Sequence, residues 1–81
     1  MSGVTYSGLV SSEEALTREK SAFILDKAIL QTICEDGPLT IEEIRRNTLP
    51  LEAAIGMKID LPTIKEIIDK YIKQGLIWEN R

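Results

Sequence analysis

The side chains best suited to chemistry in this sequence are cationic, and they lie in its C-terminal half. Lys65, Lys70 and Lys73 share one segment with Thr63, Arg45 and Arg46 sit side by side on the segment before it, and Lys58 falls between the two. Lys and Arg neutralise nucleic-acid phosphates, and a hydroxyl such as that of Thr63 adds a hydrogen bond to a phosphate or a base edge. The chemistry to expect is therefore non-covalent. The ligand these side chains would suit is double-stranded DNA, contacted by segment 61–74, with Arg45, Arg46 and Lys58 on flanking phosphates. Glu66 and Asp69 share that segment and repel phosphate. A solvated helical face accounts for the mixture without any ligand, because Glu66–Lys70 and Asp69–Lys73 are spaced four apart with the acid first. Arg45 and Arg46 also suit the negative end of a helix dipole.

Covalent chemistry has less support. The chain contains no histidine, so its single cysteine, Cys34, has no imidazole base to activate it, and a small buried hydrophobe is the simpler role. No Cys or His pair is spaced for zinc, and no glycine-rich loop follows a strand to cradle phosphate. Glu13-Glu14 and Glu42-Glu43 are adjacent in sequence, so each pair splits across a helix and suits solvation rather than acid–base work. The residues imply no cofactor and no metal, and the chain is expected not to be an enzyme. A lone cysteine fits a reducing compartment, and neither a bilayer-length apolar run nor a secretion signal is visible. A cytoplasmic location without membrane contact is the expectation.

At 81 residues the chain holds one domain, with 43% apolar and 28% charged residues, as in ordinary globular proteins. Its net charge of −3 argues against a large nucleic-acid footprint. The acidic excess lies in residues 1–36, however, whereas Lys65, Lys70, Lys73 and Arg81 outnumber Glu66, Asp69 and Glu79 in residues 61–81.

Helices must position these side chains. In DLPTIKEIIDKYIKQGLIW (60–78), Ile64, Ile67, Ile68, Tyr71 and Ile72 recur every three or four residues and form one apolar stripe. Asp60 can cap this helix, Pro62 fits its first turn, and Gly75 can stop it in the left-handed conformation. Leu76, Ile77 and Trp78 read as a short strand. Upstream, Thr40 and Glu43 form a capping box that opens a helix over Ile41 to about Thr48, with Ile41, Ile44 and Leu49 inward. Leu49 to Gly56 holds a further one- or two-turn helix bracketed by Pro50 and Gly56. A first long helix starts at Ser11 (box partner Glu14) or Thr17 and runs to about Glu35. Ala22, Leu25, Ile29 and Ile33 line one side of it; Phe23, Leu30 and Cys34 form a second strip, with Asp26 between. Either the chain itself covers both strips, or the second is a dimer face. Residues 1–11 are a flexible tail or a strand around Val4 to Tyr6 that adds to the C-terminal strand, and residues 12–81 form the domain.

Leu16-Thr17 through Trp78 resembles the winged-helix superfamily of bacterial and archaeal regulators. GPLTIEEI matches the family's short strand leading into a capped second helix. PTIKEIIDKYIKQGLI is similar to its recognition helix and the corner into the next strand. The resemblance implies a mainly α, three-helix domain with a minimal β-sheet. The sequence departs from the family pattern where residues 49–59 intervene between the second and third helices, and where no wing hairpin follows before Arg81. Two functions are open. One is a small DNA-binding transcriptional regulator, a homodimer through Phe23, Leu30 and Cys34, reading double-stranded DNA with its third helix. The other is a winged-helix-like protein-interaction module that binds no nucleic acid and docks a partner chain.

Overall fold

The computed structural model describes residues 3–20 and 23–81, ordered β1 (Thr5–Gly8), α1 (Ser12–Arg18), α2 (Ile24–Asp36), α3 (Ile41–Ile55), α4 (Leu61–Lys73) and β2 (Ile77–Asn80). The protein is mainly helical, with a small antiparallel sheet. Its core is built from the helical stripes. Ile64, Ile68 and Tyr71 of α4 meet Ile29, Leu30 and Ile33 of α2 and Ile44 of α3, all without solvent contact.

The helix ends follow local chemistry. The Asp60 carboxylate accepts the Thr63 N–H (3.0 Å) at the start of α4. At its far end Gly75 sits at φ 78°, with its N–H donating to the Ile72 carbonyl (3.1 Å) and the Leu76 N–H to the Tyr71 carbonyl (3.0 Å). Those two bonds satisfy carbonyls that a helix end leaves bare, and they turn the chain into β2. The Thr40–Glu43 box closes in both directions: the Glu43 N–H donates to Thr40 Oγ1 (3.2 Å) and the Thr40 N–H to Glu43 Oε1 (2.9 Å).

The N-terminal segment is a strand. β1 pairs with β2 in the register Thr5↔Asn80, Tyr6↔Glu79, Ser7↔Trp78 and Gly8↔Ile77, and on its other side Tyr6 bridges Leu39. Tyr6 and Leu39 exchange both backbone hydrogen bonds (2.7 and 2.9 Å). β1 therefore has backbone partners on both flanks, β2 along its length and the single Tyr6–Leu39 bridge on the other side. It can lie close to α2 because both contact points are glycines: Gly8 faces Cys34, and Gly37 is wedged between Ile33 and the Tyr6–Ser7 backbone.

Three expectations need correction. The single first helix is two helices, because Glu19 and Phe23 have extended backbone (ψ 122° and 123°). The break lets α1 fold back onto α2 and bury Ala15; in a continuous helix Ala15 would extend into water. Ala22, assigned to the core side of that helix, lies outside the described residues. Secondly, α3 does not stop near Thr48 but runs through Pro50 to Ile55, ending on Gly56 at φ 71°. Proline removes the hydrogen bond to the Arg46 carbonyl, yet Arg46 and Pro50 are both on the exposed side, where water can replace it. Thirdly, Leu49 points outward and Thr48 is buried, because the stripe begun by Ile41 and Ile44 continues at position 48.

Candidate functional site

The cations singled out in the sequence are not an open basic surface. Lys70, on α4, pairs with Asp26 in the first turn of α2, and its Nζ lies 4.7 Å from the centre of the Tyr71 ring. Asp26 is the charged residue most deeply placed between these helices, with its side chain only 13% exposed. Lys65 donates to Asp69 (2.6 Å) and lies 5.8 Å from the Tyr6 ring. The Asp69 hydrogen bond raises the Lys65 pKa. The pairs Glu66–Lys70 and Asp69–Lys73 do not form, since Lys70 turns to the buried Asp26 and Asp69 is held by Lys65.

What remains on the outer side of α4 is mixed in sign. Glu66, Asp69, Lys70 and Lys73 line one shallow depression with Gln74. Lys73, Lys58 and Arg46 are exposed and form no ion pair among the described residues; Arg45 is half-buried, and its carbonyl accepts the Thr48 hydroxyl (2.8 Å). Thr63 is exposed at the first turn of α4, where its N–H belongs to Asp60. That carboxylate, held below its usual range by the hydrogen bonds from Thr63, already occupies the positive end of the helix.

The proposed dimer strip also divides. Leu30 has no exposed surface, and Cys34 is half-buried against Gly8 of β1, so the strip is not one continuous open face. The covering element at Cys34 is β1, not the 49–59 segment. Of the strip only Phe23 is exposed, at 72%. Burial pushes the Cys34 thiol above its ordinary pKa, and the Glu35 charge pushes it the same way, so the thiol is protonated and weakly nucleophilic. Among the described residues, no group of three His, Cys, Asp or Glu comes together as a metal cage, and no helix is long and apolar enough to cross a membrane.

A more apolar recess lies elsewhere. The start of α2, the end of α3 with its following loop, and the start of α4 enclose an apolar groove of about 610 Å³. Phe23, Ile24, Ile55, Met57, Ile59 and Ile67 supply its walls, with Lys58, Thr63 and Glu66 at its polar margin. The loop wall is fixed in place: the Ile59 N–H donates to the Glu52 carboxylate (3.1 Å), and Ile59 itself is buried. Sequence reasoning named Phe23, Lys58, Thr63 and Ile67 of this surface, but for other roles, and did not bring them together. A signal was present in Ile55-Gly56-Met57, where large apolar residues flank a glycine turn that would ordinarily be polar. Comparison of the chain with family models, with curated proteins and with solved structures finds no match.

Proposed function

We propose that this protein is a non-catalytic protein-interaction module of winged-helix-like design, acting in the cytoplasm, that docks an apolar segment of a partner chain in the groove between α2, α3 and α4. The groove carries the reading. Its walls include Phe23, Ile24 and Met57, exposed at 72%, 61% and 65%. Contiguous apolar surface of this kind, rimmed by polar groups, is what interaction sites present and what solvated faces avoid. The acidic balance and the internal pairing of Lys65 and Lys70 support it from the other direction. A cation already held by a carboxylate must break that pair before it can neutralise a phosphate.

The second reading is DNA binding through the third helix of the winged-helix pattern, here α4. Arg46, Lys58 and Lys73, exposed and without an ion pair among the described residues, favour it. One experiment separates the two. Isotope-labelled protein is titrated with peptides selected from a displayed helical library, and in parallel with random duplex DNA over a range of salt. The docking reading expects peptide-induced shifts at Phe23, Ile24, Met57 and Ile67 that Met57→Asp abolishes. It fails if no peptide reaches the groove of the monomeric protein. Duplex binding that weakens steeply with salt and maps to Arg46, Lys58 and Lys73 would establish the DNA reading instead.

A further inference from the structure

We infer that the occupant of this groove is a second copy of the same chain, joined across a twofold axis with Phe23 of each protomer seated in the groove of the other. The inference rests on the docking reading above and adds the identity of the partner. Three observations favour self-pairing over a foreign partner.

The first is shape. A twofold interface places the same patch against itself, so the patch must contain both the projection and the hollow that receives it. Phe23 is the most exposed large apolar side chain described, and it lines this apolar groove. The second is charge. Lys58 and Glu66 lie at the margin of the groove, are exposed, and form no ion pair among the described residues. A twofold rotation brings the Lys58 margin of one protomer to the Glu66 margin of the other, twice over. Asp26 also lines the groove but is held by Lys70, so Lys58 and Glu66 are the exposed charges of its margin, one of each sign as self-complementarity requires.

The third is area. Taking about 200 Å² for a fully exposed large side chain, Phe23, Ile24, Ile55 and Met57 at their exposures leave roughly 400–500 Å² of apolar surface on each protomer. Covering both copies buries about 1,000 Å² with the polar margin included, near the lower bound for a specific interface. A reversible dimer fits that area.

Sedimentation of the full chain at increasing concentration tests this, using charge reversal at two exposed residues of the groove margin. Wild type should pass from monomer to dimer within the micromolar range. Lys58→Glu and Glu66→Lys should each weaken dimerisation by about tenfold or more, because each sets like charges face to face at two symmetric places. Mixing the two single variants should restore it: every contact in the mixed dimer is then opposite in sign. Loss of fold cannot produce that rescue. Phe23→Ser should leave a folded monomer. A wild type that stays monomeric at high micromolar concentration overturns the inference, as does a mixture that associates no better than its components. If peptides still bind the groove of such a monomer, the docking reading stands and only self-pairing fails; if they do not, both fail.

Discussion

Gly37→Ala should destabilise this protein, although its backbone conformation alone says the opposite. Gly37 sits at φ −62° and ψ 157°, which any residue adopts. At such a site alanine ordinarily stabilises by about 0.4–1 kcal/mol, because it restricts the unfolded chain. Space decides otherwise. A β-carbon at position 37 would lie 2.5 Å from the Ile33 carbonyl oxygen, 2.9 Å from the Tyr6 carbonyl oxygen and 3.0 Å from the Ser7 α-carbon. All three are backbone atoms, so no side chain can swing aside. Relief requires either the end of α2 to open, stretching the Gly37 N–H bond to Ile33 (2.9 Å), or β1 to withdraw, stretching the Leu39 N–H bond to Tyr6 (2.9 Å). Overpacking of this kind costs about 1–3 kcal/mol. After subtraction of the entropic gain, a net loss of roughly 1–2 kcal/mol remains. In a domain of this size that lowers the midpoint of thermal unfolding by about 5–15 °C. The assay is thermal unfolding followed by circular dichroism, with amide exchange of Tyr6 and Leu39 as the local readout. Gly3→Ala, which meets nothing within 4 Å, is the control and should leave the midpoint unchanged. A Gly37→Ala midpoint at or above wild type would refute the packing of β1 onto α2.

Two further outcomes follow from the buried polar groups. Lys70→Met removes the cation from the mostly buried Asp26 carboxylate; a fully buried broken pair would cost 3–5 kcal/mol, and the 39% exposure of Lys70 reduces this to about 1–2 kcal/mol. Adding Asp26→Asn should recover part of the loss in chemical denaturation, and no recovery would place the cost in packing rather than charge. Burial raises the Tyr71 pKa, and the Glu19 carboxylate beside its hydroxyl adds to the rise. A raised pKa means the stability is complete below the unfolded phenol value, near pH 10, and is lost as pH rises above it. Tyr71→Phe should therefore flatten the alkaline limb of a stability–pH profile, and an unchanged limb would clear Tyr71 of any part in it.

The sequence by itself determined the parts governed by neighbours along the chain. The α4 stripe, its Asp60 cap, its Gly75 stop and the Thr40–Glu43 box are local matters of three- and four-residue spacing and of hydrogen bonds within one turn. They stand as the residues dictate. The mainly helical class with a small sheet follows from them; whether residues 1–11 are a tail or a strand was open in the sequence, and their pairing with the strand after α4 was decided by the tertiary structure.

Only the tertiary structure decided which charges are free and which apolar faces are covered. Lys70 has a partner 44 residues away, so no helical-wheel rule could assign it to Asp26 rather than Glu66. Cys34 and Leu30 look like a free strip until α1 folds back and β1 packs onto α2, and both events depend on contacts distant in sequence. Gly8 and Gly37 read as loop residues, yet what they supply is the absence of a side chain where two backbones touch. The groove is the furthest from legible. Phe23, Met57 and Ile67 come from three separate elements, and a concave surface exists only once helix packing has fixed the distances between them.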